Sequence, residues 1–191
     1  KLLEKKGHYS SGPYKGYKFS VYEGGLRVPL IAKWPGVSPA GTTCDRMVGL
    51  NDLFATLAEV AGHELPRDAA PDSISFLSLL KNPKGKATRT NLVMQSVGPM
   101  VIRENNWKLC FCPGSGSNGP FAYEPKSGPA WQEALASYGK KPRNHDELLQ
   151  PPFLQLYDLD ADPGEKRNLA TERPDTVKRL VGLLREQIAN G

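Results

Sequence analysis

The apolar residues of this chain recur with two periods. Near its end, Val177, Leu180, Val181, Leu184 and Ile188 stand at i, i+3, i+4, i+7 and i+11, one face of a helix. Pro174 suits the first turn, where its missing N–H is not needed, and Asp175 meets the positive helix end. Burying those five side chains contributes on the order of 7–15 kcal/mol as an upper bound, so this helix must dock on something. Leu53, Leu57, Val60 and Ala61 predict a second helix over 51–61, with Asn51 or Asp52 as its N-cap and Gly62 as its stop. Residues 72–80 read as a loop and a short helical turn ending near Asn82 and Pro83.

Other segments have strand character. Residues 26–34 (LRVPLIAKW) are an apolar run that predicts a largely buried strand, with Pro29 at its start or at a bulge. Residues 90–95 predict another. Residues 100–103 and 107–111 flank Glu104, Asn105 and Asn106, a composition suited to a tight hairpin turn. In 154–159, Leu154 and Leu156 alternate with Gln155 and Tyr157. The last helix is therefore expected on one face of an antiparallel sheet built from these strands. Residues 1–20 read as loop. Residues 113–152 are dense in Gly, Pro, Ser and Asn and read as a long irregular insertion with one weak helical patch over 130–138.

Composition narrows the class. With 39% hydrophobic and 24% charged residues among 191, the chain fits a globular protein of one ordinary domain, or the end of one plus a small second. It begins at Lys1 with no signal-like segment and has no apolar run of membrane-spanning length, so we read it as internal to a longer protein and expect no membrane insertion. The net charge of +5 is mild, and Lys5-Lys6 and KKPR at 140–143 are too short for a nucleic-acid surface. Three cysteines do not make a disulfide framework. Cys110 and Cys112 would share one face of a strand, but no histidine lies near them to complete a zinc site, and we read all three as free or partly buried thiols.

Self-sufficient catalytic patterns are absent: there is no G-x-S-x-G, H-E-x-x-H or P-loop, and His8, His63 and His145 are isolated. The informative stretch is 11–29, SGPYKGYKFSVYEGGLRVP. It resembles the type I sulfatases of the alkaline phosphatase superfamily, whose pattern reads N-x-P-L-R-G-x-K-x-x-x-x-E-G-G-x-R-x-P before an apolar strand and W-P-G. Pro13, Gly16, Lys18, Glu23, Gly24, Gly25, Arg27 and Pro29 fall at that spacing, then Trp34, Pro35 and Gly36; Lys15 stands where the pattern often has Arg. NDLFATLAEVAG at 51–62 is similar to D-x-x-P-T-x-x-x-x-A-G, with Ala55 in place of Pro. DSISFLSLL at 72–80, VIRENNWKL at 101–109 and LYDLDADPGEKRNLA at 156–170 resemble D-G-x-S-L-x-P-L-L, R-x-x-x-x-K-L and L-Y-D-L-x-x-D-P-x-E-x-x-N-L-A.

The resemblance implies a role for Lys18. In the family, the lysine five residues before Glu-Gly-Gly contacts the substrate sulfate. A fixed ammonium there stabilises the charge that gathers on sulfate oxygens and leaving group as the S–O bond breaks. Lys18 is the one catalytic candidate, with no cofactor-binding or metal-ligating residue. Lys15 falls outside the sulfate position and its loss is expected to matter much less. Glu23 and Arg27, four apart, are expected to tie the loop down, and Asp158 and Asp160 to belong to scaffold. The C-x-P-S/A-R or S-x-P-S/A-R motif that yields the formylglycine nucleophile does not occur in the sequence. The resemblance puts formylglycine and the aspartates that hold calcium in the intact protein, upstream of this chain. The implied fold is the α/β end of a large sulfatase domain over 1–85, followed by a small α+β subdomain over 86–191, an antiparallel sheet of about four strands packed by the last helix. The implied activity is hydrolysis of an anionic sulfate ester, with sulfated carbohydrates as candidates, outside the cytoplasm, and the isolated fragment inactive. A phosphodiesterase or phosphonate hydrolase of the same superfamily, and a folded interaction module without catalysis, are the alternatives.

Overall fold

The computed structural model describes residues 6–66, 68–96, 98–116, 143–149, 151 and 153–190. The elements are α1 (Glu23–Leu26), α2 (Asp52–Val60), α3 (Leu77–Lys81), β1 (Asn91–Gln95), β2 (Met100–Glu104), β3 (Trp107–Cys110), α4 (His145–Leu148), β4 (Gln155–Asp158) and α5 (Pro174–Asn190). They fall into two compact units. One joins the residues up to Val28 with Val93–Glu186, and the other comprises Pro29–Leu92 and the chain end from Gln187.

The first unit is built on a four-stranded sheet in the order β1-β2-β3-β4. β2 and β3 pair antiparallel with Glu104 opposite Trp107, so Asn105 and Asn106 alone make the connection, Asn105 at φ +52°. β3 and β4 pair antiparallel with Leu109 opposite Leu156. This register puts Ile102, Leu109 and Leu156 on one face, where they meet Val177, Leu180, Val181 and Leu184 of α5. The expected docking of the last helix is thus observed. Ile188, however, is 59% exposed, so four of the five stripe residues are buried and the upper bound on their contribution is about 6–12 kcal/mol. The opposite face is also covered: Val101, Cys110 and Tyr157 pack with Val21 and Tyr22 of the N-terminal loop. The alternation read in β4 therefore separates two buried faces rather than an inside from an outside. Asn168 closes the edge, its side chain accepting the N–H of Leu156 and donating to the carbonyl of Leu154, both at 3.0 Å.

In the second unit α2 forms where the period placed it and ends as expected. Gly62 N–H bonds to Glu59 and His63 N–H to Ala58, the paired bonds that close a helix end on a glycine. Two details differ from the sequence reading. Neither Asn51 nor Asp52 caps its own helix through its side chain; Asn51 instead donates to the Asp72 carbonyl at 2.7 Å. The buried side chains of α2 are Asp52 and Thr56, while Leu57 is 63% exposed and lines an open apolar groove of about 360 Å³ with Leu30, Trp34, Val60, Phe76 and Leu80.

Residues 27–34 belong to no strand, and Ile31 is 91% exposed. The composition suits a buried strand, but a strand exists only by pairing its N–H and C=O groups with a neighbour, and the described sheet does not include this segment. Of the irregular insertion, α4 is a single turn, and the helical patch read over 130–138 lies outside the described residues.

Candidate functional site

The N-terminal loop folds back on α1, and the two glycines of the Glu-Gly-Gly triplet explain how. Gly24 N–H donates to the Lys15 carbonyl at 2.8 Å. A Cβ on Gly24 would lie 2.3 Å from the Gly16 carbonyl oxygen, and one on Gly25 would lie 2.4 Å from that of Ser20 and 2.5 Å from that of Tyr17. Only a bare backbone admits such close approach. The Ser20 N–H donates to the Tyr17 carbonyl at 2.9 Å, closing a turn across Lys18 and Phe19. Phe19 adopts φ +74°, a conformation that strains a bulky residue. Lys18 stands exposed on this turn, its ammonium 4.9 Å from the centre of the Phe19 ring.

Beneath the loop lies a buried ionic cluster. The Lys108 ammonium donates to Glu23 Oε1 at 2.9 Å and to Glu165 Oε1 at 2.7 Å. Glu165 Oε2 accepts the backbone N–H of Glu23 at 2.6 Å. Lys108 and Glu165 are fully buried and Glu23 nearly so. Arg103 and Arg27 approach Glu23 Oε2 at 3.6 and 3.7 Å, and Oε2 accepts no hydrogen bond among the described residues. Burial works against the charge of Lys108, but Cys110, Glu165 and Glu23 outweigh it and its pKa is raised. Burial also raises the Glu165 pKa, against the pull of Lys108. The sequence reading gave Glu23 a tying role with Arg27 as its partner. The salt bridge to Arg27 exists, but the closer partner is Lys108, which that reading missed together with Glu165 and Arg103. The signal was present, since Lys108 lies in VIRENNWKL and Glu165 in LYDLDADPGEKRNLA.

Lys15, outside the sulfate position of the motif, is engaged with its neighbours. Its ammonium sits 3.8 Å over the centre of the Tyr22 ring and donates to the Glu165 carbonyl at 3.4 Å. Tyr22 and Tyr157 both donate their hydroxyls to Gln155 Oε1, at 3.0 and 2.7 Å.

The remaining candidates lie elsewhere. Asp158 accepts from Asn106 Nδ2 at 2.9 Å and from the N–H groups of Asp160 and Ala161, and these bonds hold its carboxyl below the ordinary range. Cys110 and Cys112 are buried in the same cluster, and burial pushes Cys110 up to about 12. Cys44 is free and exposed. His8 and His63 are exposed and lie in different units. In the second unit, Asp52 accepts the N–H groups of Gly49 and Ile74 at 2.7 and 2.9 Å and pairs with Arg89 through both carboxylate oxygens, and Thr56 accepts the N–H of Phe76 at 3.0 Å. Among the described residues no three His, Cys, Asp or Glu side chains come together to hold a metal.

No protein-family model matches the chain. It is 34% identical over 183 residues to the N-acetylgalactosamine-6-O-sulfatase of Bacteroides thetaiotaomicron, a match covering 93% of this chain and 30% of that protein. Human steryl-sulfatase is 30% identical over 191 residues, across 93% of this chain and 30% of its own length. A solved Bacteroides thetaiotaomicron structure, described under the metabolism of multiple glycosaminoglycans, has a TM-score of 0.74 at 30% identity over 97% of this chain and 34% of that one. The crystal structure of Ps i-CgsB, at 22% identity and TM-score 0.62, shares the fold. The chain spans about 30% of the length of the curated relatives it matches.

Proposed function

This chain belongs to the sulfatase family, and we propose that it is the C-terminal part of a sulfuric ester hydrolase to which it contributes one sulfate-binding group, the Lys18 ammonium. The observation that carries this is a contrast. Glu23, Lys108, Glu165 and Asp52, charged residues of the family-like motifs, are buried and paired. Lys18 belongs to the same motifs but is exposed, on a turn that close backbone packing holds in place. Its compact charge would meet sulfate oxygens and stabilise the negative charge that grows on them as the ester S–O bond breaks. The nucleophile and the metal would come from the rest of the protein. Sulfated carbohydrates are the proposed substrate class, supported by the name of the Bacteroides relative, and the proposed setting is outside the cytoplasm. No described helix is long and apolar enough to cross a membrane.

The test is substitution in the full-length enzyme. Lys18→Ala should lower turnover by about two to three orders of magnitude, the loss typical of one preorganised oxyanion contact. Lys18→Arg should rescue poorly, because a guanidinium is larger and donates through a planar fork. Lys178, exposed on α5, is the control in place of Lys15, which the structure shows to be engaged. If Lys18→Ala is as mild as Lys178→Ala, the assignment fails.

A further inference from the structure

We propose that the buried Glu23–Lys108–Glu165 cluster is the positioning device for Lys18, so that the C-terminal sheet, through Lys108, sets where the sulfate-binding ammonium stands. This rests on the reading of Lys18 as a sulfate ligand.

The coupling can be followed atom by atom. Lys108 lies on β3, in register with Arg103 on β2 and Tyr157 on β4, on the face of the sheet turned away from α5. From there it grips Glu23 Oε1 at 2.9 Å. Glu165, in the turn after β4, grips the backbone N–H of the same residue at 2.6 Å. Glu23 is the first residue of α1, so both side chains fix where that single turn begins. The next two residues, Gly24 and Gly25, are the floor on which the loop rests, Gly24 against the carbonyls of Lys15 and Gly16 and Gly25 against those of Tyr17 and Ser20. Tyr17 and Ser20 are the two ends of the turn that carries Lys18, joined to each other by a 2.9 Å bond. Every link is a backbone or buried contact with little room to relax. A shift of Glu23 must move Gly25, and with it the turn.

Lys108 is what bridges the carboxylates of Glu23 and Glu165, beside the direct bond from the Glu23 N–H to Glu165 Oε2. Two buried carboxylates that share one ammonium attract through it and repel without it. Without the lysine they would separate, take up a proton or admit water, and each response displaces Glu23. A misplacement of about 1 Å far from the chemistry can cost on the order of a hundredfold in rate. Glu23, Lys108 and Glu165 are thus positioning residues: none is exposed to meet a substrate, and each acts through Lys18.

The experiment is a double-mutant cycle on the full-length enzyme with a soluble aryl sulfate, using Lys108→Met, Lys18→Ala and both together, each checked for folding by circular dichroism and thermal melting. Lys108→Met is expected to lower kcat/KM by about tenfold to a hundredfold, with the loss in kcat rather than in KM. In the Lys18→Ala background the same change should cost less than about twofold, because the group it positions is gone. An equal loss in both backgrounds would show a role independent of Lys18 and overturn the proposal. So would a folded Lys108→Met enzyme with unchanged kcat/KM. Should Lys108→Met not fold, Glu165→Gln enters the same cycle with the same criteria, since the amide keeps the shape and the contact to the Glu23 N–H while losing the charge. Lys18→Ala measured alone separates the two failures: a mild effect there sinks the sulfate-ligand reading, whereas a strong effect with an additive cycle sinks only the positioning role.

Discussion

The sharpest stability test lies in the second unit, at Asp52. Each carboxylate oxygen of Asp52 is held by two donors. Oδ1 takes the Ile74 N–H and Arg89 Nη2, and Oδ2 takes the Gly49 N–H and Arg89 Nε. Asp52→Asn preserves size, but its NH2 group must replace one of these oxygens, and either orientation sets a donor against two donors. Arg89 is 8% exposed, and it would keep only the carbonyls of Asp72 and Asn91 as neutral acceptors. Breaking a buried pair from one side costs about 3–5 kcal/mol, because the surviving charge has no compensation. For a chain of this size that corresponds to a fall in Tm of about 6–20 °C, at roughly 2–4 °C per kcal/mol. Hydrogen exchange should localise the loss to the amides of Gly49 and Ile74. Removing both partners, in Asp52→Asn with Arg89→Met, should recover part of the loss, since an apolar pair leaves no buried charge behind. A shift in Tm below about 2 °C for Asp52→Asn, or a double variant whose loss equals the sum of the two single losses, would refute the reasoning.

Two further outcomes follow from burial. Leu180→Ala, at a fully buried position where α5 meets the sheet, should destabilise the chain by about 2–5 kcal/mol by denaturant titration, and Ile188→Ala, largely exposed, by far less. Iodoacetamide at mild alkaline pH should alkylate exposed Cys44 and leave Cys110 unmodified until the chain unfolds, since the thiolate is the reactive form and burial pushes Cys110 up to about 12; mass spectrometry of the labelled peptides checks it.

The sheet and its covering helix were legible because their signals are local. The period of 3.6 residues in α5, the alternation in β4 and the two asparagines between β2 and β3 each act within a few residues. What periodicity does not give is the surface against which an apolar face lies. The stripe of α2 reads like that of α5, yet Leu57 and Val60 are open and Asp52 and Thr56 are buried. Residues 26–34 read as a buried strand because their composition is that of one, but pairing is a property of a neighbour, not of the segment. The ionic cluster was out of reach for a different reason. Its contacts join residues 57, 85 and 142 positions apart, and no spacing rule connects them. Three motif blocks each held one member, so the blocks marked the residues without revealing that they meet.

That meeting bears on why Lys18 stands where it does. Exposed lysines are the commonest kind, and exposure alone says nothing. What sets Lys18 apart is the structure assembled beneath it. A bulky residue at φ +74° costs on the order of 1–3 kcal/mol. A buried lysine between two carboxylates is at best about neutral for stability compared with well-packed apolar residues. A loop whose only task were to close the sheet face could use Val21 and Tyr22, already fully packed there, and dispense with both the strain and the buried charge. Rigidity is what the arrangement does supply, since a shared ammonium and a close-packed backbone floor both restrict movement. A group that meets a sulfate oxygen, the role proposed for Lys18, needs that rigidity, and a lysine that merely keeps the surface wet does not.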